Sequence, residues 1–413
     1  MRSLPVFVSD QEVGILREDP DTGLIDFAYK TSDRLQPSVS LTMPATAAPE
    51  DLTGFNGLPP PFEISLPEGY ILDILRQRFA KQVDVDDDLA LLRIVGRNTI
   101  GRVTFGGPAE HAGVLEADIA AAARSPGAAA CLQSILKDSP QLFGVSGVMP
   151  KAAAMSTPSR PGTLVADNQI VKFDARDYPG ASLVEYACLM ACRRMGLKVP
   201  GISLSPDAEA LTIDRFDRDA RGAAFGFEDA CALSGLRRSG KYSGYIDDLF
   251  QMVGNFVHPV DQSSAREQLL LAVLMNDAVR NGDAHLKNFG LLYEHDESRP
   301  VLAPTYDVLT TQAWIRHDAP ALGMSLDDPD PRWLDSIGLE SLAKMADVSP
   351  AYAADMHRAC LGEAISSLEE TLADVKNTAS ARALSALHAA VEVVKQVQPI
   401  AAQKHAKRET QKC

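Results

Sequence analysis

The sequence predicts an α+β fold with two lobes behind an appended N-terminal α/β subdomain. Three observations predict it. Residues 1–45 hold short apolar stretches split by Asp/Gly/Pro turns, as in Asp19-Pro20-Asp21-Thr22-Gly23. The character changes near Ser139-Pro140, where a small-residue loop leads into two strand-like runs and a helix. From about residue 228 helical periodicity dominates. The expected divisions are 1–137, 138–227 and 228–413.

Taken in order, LPVFVSD, EVGILRE and LIDFAYK read as strands, and 46–66 as a Pro/Gly-rich loop. Ile71, Leu72, Ile74, Leu75 and Phe79 suit an amphipathic helix over 68–82. Asp86–Val95 reads as a helix stopping at Gly96, and Ile100–Phe105 as a strand. The alanine-rich 109–137 carries Leu132, Ile135 and Leu136 at helical spacing. TLVAD and QIVKFDA are strands turning at Asp167-Asn168, and Ala181–Met195 is a helix ended by Gly196 and Pro200. Ala208–Phe216 alternates like a strand. Helices are expected over 265–279, 340–346, 351–374 and 379–397, before a polar, mildly basic tail from Lys404 to Cys413.

Composition narrows the classes. The 413 residues are 46% hydrophobic and 23% charged, so collagen-like, coiled-coil and wholly disordered chains are excluded. The net charge of −15 argues against broad, non-specific nucleic-acid binding. The 6 cysteines are scattered with no CxxC pair, which points to neither zinc nor a disulfide framework and fits a reducing compartment. Asp10 and Glu12 interrupt the N-terminus before any signal-like core, and Leu269–Met275 is too short to span a bilayer. The expectation is a soluble cytoplasmic protein with no membrane contact.

The densest polar cluster, Asn276 to Asn288, directly follows that apolar run. Asp283 and Asn288 stand in the spacing D-x-x-x-x-N. In kinase catalytic loops this lets an Asp accept the substrate hydroxyl's proton while an Asn holds Mg²⁺. Asp307, after Pro304-Thr305-Tyr306, would be a second oxygen ligand. His285 sits two residues past Asp283, where many kinases place a γ-phosphate-facing Lys, and is expected to help neutralise charge there. A short hairpin, Phe289–Tyr293 with Val301–Ala303, carries the chain to Asp307. By itself the cluster could be a polar turn; order and context favour the loop.

Upstream parts agree. Lys172 lies in an apolar strand, where an unpaired ammonium is costly, and Glu185 on the next helix is its natural partner. A snorkelling edge-strand Lys and a solvated Glu remain open as the alternative. Gly144 to Lys151 is not a Walker A loop, yet its glycines and Ser146 would let backbone N–H groups approach phosphates. Asp214-Arg215-Phe216-Asp217 falls where a hinge would meet adenine; a salt-bridged strand end is the alternative.

Together, FGVSGVMPK, QIVKFDA, VEYACLMACRRMGLKVP, LTIDRFDRD, NGDAHLKNFGLL and LAPTYDVLT resemble the HipA family of serine/threonine-kinase toxins, and GRNTIGRVTF resembles the end of that family's N-terminal subdomain. The resemblance implies a bilobed protein-kinase-like fold with a cleft for ATP and Mg²⁺. It makes 1–137 the HipA-type N-terminal subdomain, 138–227 the N-lobe core and 228–413 the helical C-lobe. Asp283 would be the catalytic base, Asn288 and Asp307 the magnesium ligands, and Lys172 and His285 further catalytic groups. Ser146, Gly147, Val148, Met149, Lys151, Lys172, Asp214, Phe216, His285, Lys287 and Tyr306 would contact the nucleotide. In that family a loop serine is autophosphorylated and the loop ejected. Gly144 occupies one of its two positions here, so Ser146 is the candidate, with a hydrogen bond to ATP as its other possible role. Met149 and Pro150 replace more polar residues.

The resemblance further implies a HipB-like helix-turn-helix antitoxin, DNA contact only through that partner, and a protein substrate such as an aminoacyl-tRNA synthetase. Two other expectations keep the fold: a phosphotransferase acting on a small molecule, and a degenerate kinase serving as a corepressor. Intact Lys172, Asp283, Asn288 and Asp307 speak against the last.

Overall fold

The computed structural model describes residues 2–32, 35–67, 72, 87–97, 99–108, 114–138, 162–165, 168–174, 178–314, 324–326 and 332–401. Residues 139–161, with the expected Gly144–Lys151 loop and its Ser146, Gly147, Val148, Met149 and Lys151, almost all of the expected 68–82 helix and the tail from 402 lie outside the described residues.

The N-terminal stretches form an antiparallel sheet in the order β3-β2-β1-β4: β1 (Arg2–Val8), β2 (Gln11–Glu18), β3 (Ile25–Tyr29) and β4 (Val103–Phe105). Alternation along β1 buries Leu4, Val6 and Val8 on one face. Ser9 and Asp10, at φ 45° and 67°, make the two-residue turn whose twist matches a hairpin. The one-turn α1 (Pro60–Glu63) lays Phe62 edge-on to Phe27 and Phe105, and α2 (Asp88–Val95) starts where Asp87 accepts from Leu89 and Ala90 N–H. The alanine-rich stretch is two helices, α3 (Val114–Ala123) and α4 (Ala128–Asp138).

A second antiparallel sheet runs β5-β6-β8-β7: β5 (Gly162–Val165), β6 (Gln169–Phe173), β7 (Ile202–Leu204) and β8 (Ala210–Asp214). Lys172 faces Thr163 on β5 and Leu211 on β8, so its strand is interior, not an edge. Period two separates the faces of β6. Val171 and Phe173 join the N-terminal core, whereas Ile170 packs on the C-terminal one. β8 starts later than its sequence suggests. Asp207 accepts from Ser205 Oγ and Glu209 N–H, and Ala208 turns at φ 59°, so side chains replace the ladder there.

The helix α5 (Ala181–Arg194) follows. Gly180 at its start has φ 80° and abuts a C-terminal helix, where an added Cβ would stand 2.9 Å from the Ala383 Cα. In a third sheet, β11-β10-β9, the central β10 (Gly290–Tyr293) pairs with β9 (Gly226–Asp229) on one side and β11 (Val301–Leu302) on the other. Around it lie α6 (Ala230–Leu233), α7 (Ile246–Phe256), α8 (Gln262–Ala278), α9 (Ser336–Met345), α10 (Pro350–Val375) and α11 (Ala381–Lys395). Residues Leu269 to Ala278 are all buried, because α8 runs through the lobe with α10 packed on it. The sequence reading passed over β7, β9 and α7; β7 and β9 are too short to show a period. No helix of the described residues is long and apolar enough to cross a membrane.

Several contacts fasten the N-terminal subdomain, three of them through buried acids. Arg215 and Asp217 form a buried pair that donates to Thr99 O and accepts from Gly101 N–H. Glu63 accepts from Arg237 Nε and Arg238 N–H, both at 2.6 Å. Glu228 accepts from Ser40 Oγ, Leu41 N–H and Tyr293 Oη. Burial alone would raise the Asp217 carboxyl, but Arg215 holds it below the usual carboxylate value.

Asp217→Ala would strand a guanidinium that is 0% exposed. We expect it to lower unfolding stability by about 3–5 kcal/mol, read as a reduced denaturation midpoint of the full chain. Glu370→Ala, which breaks the exposed pair with Arg194, should leave that midpoint almost in place.

Candidate active site

The site is built where β6, α5 and the loop after β11 converge. Lys172 Nζ stands 2.7 Å from Glu185 Oε1 and 2.5 Å from Asp307 Oδ1. The Glu185 side chain is 5% exposed and that of Asp307 39%, so only Asp307 presents oxygen to solvent. Burial works against the ammonium, yet its two carboxylates hold the Lys172 pKa above its ordinary value. Burial pushes Glu185 up to about 6 against the pull of Lys172. Asp307 shows the reverse balance: Lys172 outweighs its desolvation and keeps it below the ordinary value.

Asp307 is reached by an extended run that Thr305 N–H pins to Lys198 O at 2.7 Å. Its backbone is left-handed, φ 60°, a conformation that Asp tolerates better than most residues. Asn281 Nδ2 donates to the Asp307 carbonyl at 3.2 Å and to Asn276 Oδ1 at 2.7 Å, while Asn281 Oδ1 accepts from Asp283 N–H. Thr311 Oγ1 accepts from Gly282 N–H and donates to Arg280 O. Asp277, fully buried at the end of α8, accepts from Arg280, Leu334 N–H and His357 Nε2 at 3.0 Å each. These contacts fix the chain on both sides of Asp283.

Within the loop, His285 N–H donates to Asn288 Oδ1 at 2.8 Å, and Asn288 Nδ2 donates to Asp307 Oδ2 at 3.0 Å. Asp283 is exposed and accepts a hydrogen bond from Tyr242 Oη. His285 is 5% exposed, and its Nδ1 is buried with no hydrogen-bond partner among the described residues. Burial lowers its pKa, Lys241 lowers it further, and Asp283 and Asp307 oppose them. The charged imidazolium is thereby disfavoured. In its neutral form the ring can donate or accept a hydrogen bond.

A second group of expected residues adjoins the first. Tyr306 Oη donates to Lys287 O at 2.7 Å, and its ring stacks on Phe216 with centroids 5.5 Å apart. Asp214 is exposed at the end of β8, its N–H bonded to Gly201 O. The structure thus brings Lys172, Glu185, Asp307, Asn288, His285 and Asp283 into one chain of contacts, with Tyr306, Phe216 and Lys287 beside it. Sequence reasoning missed Lys241, Tyr242, Asn281, Thr311 and Asp277. Asn281 and Asp277 stood inside the polar cluster; Lys241 and Tyr242 carried no spacing signal.

Among the described residues no group of three or more His, Cys, Asp or Glu side chains could hold a metal ion. One ionised, part-exposed carboxylate and one amide oxygen are present instead. Asn288 Oδ1 spends one lone pair on His285 N–H and keeps the other. Such a sparse oxygen set suits Mg²⁺, which usually binds one or two carboxylates together with substrate phosphates.

A family model for the HipA-like C-terminal domain matches residues 143–389, and one for the HipA N-terminal domain matches residues 4–106. Two proteins of Sinorhizobium fredii (strain NBRC 101917 / NGR234) are similar in sequence. "Putative kinase Y4dM" is 28% identical over 319 residues, covering 71% of this chain and 73% of that protein. Y4mE, which bears the same designation, is 31% identical over 157 residues, covering 36% and 37%. A solved chain of the Shewanella oneidensis MR-1 toxin–antitoxin system HipA, HipB and operator DNA complex has a TM-score of 0.68 at 17% identity. It is matched over 95% of this chain and 96% of that one. The α+β, bilobed kinase-like fold expected from the sequence is the fold observed.

The Lys172 triad makes a pH prediction. Glu185 lies above the usual carboxylate value, so alone it adds stability at low pH that is lost as pH rises through about 6. Its ion pair with Lys172 forms only above that pH. Carboxyl NMR titration should show Glu185 changing state near pH 6 and Asp307 below its ordinary value. In Lys172→Met both should move upward by about one to three units.

Proposed function

This chain belongs to the HipA family, and on that premise we propose that it is an ATP- and Mg²⁺-dependent serine/threonine protein kinase acting as the toxin of a HipBA-like module. The observation that carries the reading is the Lys172 ammonium held between Glu185 and Asp307 beside an exposed Asp283. In a phosphotransferase those groups divide the work. Lys172 neutralises nucleotide phosphate charge, Glu185 orients the ammonium, and Asp283 takes the proton of the acceptor hydroxyl. Asn288 and Asp307 would hold Mg²⁺, which supplies charge neutralisation at the phosphates when bound. The Phe216–Tyr306 stack offers an aromatic surface beside the cleft, suited to a planar base. Neutral His285 would donate a hydrogen bond to a phosphoryl oxygen.

The finer parts of the proposal rest on the family. Ser146 is the proposed autophosphorylation site; a dianionic phosphoserine near the ATP phosphates would repel them. A HipB-like helix-turn-helix protein is the proposed partner, and the −15 charge suits DNA contact made through it. The solved relative was itself assembled with HipB and operator DNA. The protein target is proposed to be a translation component such as an aminoacyl-tRNA synthetase, in the cytoplasm. The division into 1–137, 138–227 and 228–413 belongs to the same proposal.

The test is phosphotransfer by the purified chain with Mg²⁺ and ATP, followed by phosphopeptide mass spectrometry. Asp283→Asn should reduce transfer by about 10²- to 10⁴-fold while nucleotide binding persists. Asp307→Asn should abolish the magnesium dependence of nucleotide binding. An unchanged rate in Asp283→Asn would remove that residue from the base role. A phosphorylated small molecule with no modified protein would move the substrate to that class.

A further inference from the structure

The hydroxyl of Tyr242 stands where an acceptor hydroxyl belongs. Tyr242 is 53% exposed, and its Oη donates to Asp283 Oδ1. Its ring meets that of His285 edge to face, with centroids 5.0 Å apart and planes at 73°. The Lys241 ammonium lies 5.2 Å from the Tyr242 ring centroid. The segment is also fastened to the catalytic loop. Leu286 N–H donates to Lys241 O at 3.3 Å, and a Cβ added to Gly244 would run into the Leu286 side chain. Tyr242 is therefore delivered to Asp283 from a backbone tied to Leu286, within the D-x-x-x-x-N motif itself.

A hydrogen bond between an exposed phenol and an exposed carboxylate adds little to stability. The same bond is what a base needs with the hydroxyl it will deprotonate. We propose that Tyr242 is an intramolecular phosphoacceptor of this chain. The inference rests on the phosphotransferase reading with Asp283 as base. In the step, Tyr242 Oη attacks the γ-phosphorus of ATP and forms the new P–O bond. The bond from the γ-phosphorus to the β,γ-bridging oxygen breaks, and ADP departs with that electron pair. The phenolic proton passes to Asp283 and then to water. Lys241 is the neighbouring cation for the phosphate formed. Phosphotyrosine has no hydroxyl hydrogen left to give Asp283, and like charge drives it from that carboxylate.

The experiment uses the phosphatase-treated full chain, incubated with Mg²⁺ and ATP. Fragment-ion mass spectrometry separates Tyr242 from its neighbours Ser243 and Tyr245. ADP release is followed in parallel. We expect phosphate on Tyr242, approaching one per chain, with a first-order rate constant unchanged over tenfold dilution. The signal should vanish in Tyr242→Phe, which keeps the ring, and fall with transfer generally in Asp283→Asn. ADP release or phosphate elsewhere with Tyr242 unmodified overturns this inference and leaves the kinase reading standing. A rate that scales with protein concentration overturns the intramolecular step. No ADP and no phosphate anywhere overturns both readings.

Discussion

One ammonium shared by two carboxylates holds the site together. Lys172 comes from the second sheet, Glu185 from the helix after it, and Asp307 from the helical lobe. A lone buried lysine would lose its proton or leave the interior. With two acids the triad keeps its charge, and the lobes stay in register across it. Its three members differ in exposure, and that difference separates their chemistry. Glu185, almost dry, spends its charge on the ammonium; Asp307, part wet, keeps an oxygen edge toward solvent.

The catalytic loop hangs on a second polar knot. Asp277 is fully buried yet meets three donors, so an otherwise costly carboxylate becomes an anchor. Asn281 then couples the Asp283 backbone to the Asp307 carbonyl. The positions of Asp283 and Asp307 are thereby tied through one amide side chain. The N-terminal subdomain adds stiffness from outside. Through Arg215 and Asp217 it grips the segment where the lobes join. Phe216, between the two residues of that pair, stacks its ring on Tyr306.

Local elements were largely readable because period and punctuation act over a few residues. The β1–β3 strands, the Ala181–Met195 helix and the β10–β11 hairpin appear within a residue or two of their expected bounds. Short elements escaped, since three or four residues such as β7 and β9 contain no period to read. The expected late start of α8 also yielded. Gln262, Ser263 and Ser264 are polar, and they extend the helix expected from 265 because helix propagation from the buried half is favourable.

The sequence by itself determined the chemistry available at the site: an Asp and Asn at fixed spacing, a strand lysine, a helix glutamate and a later aspartate. Spacing along one chain suffices for such parts, because it sets which faces of a strand, helix or loop they occupy. Only the tertiary structure decided the charge states and neighbours. Packing dries His285 and disfavours its charged form, and the charge on Lys172 is favoured because an acid arrives from residue 307. Tyr242 meets Asp283 across 41 positions of chain, a distance over which no local pattern carries information.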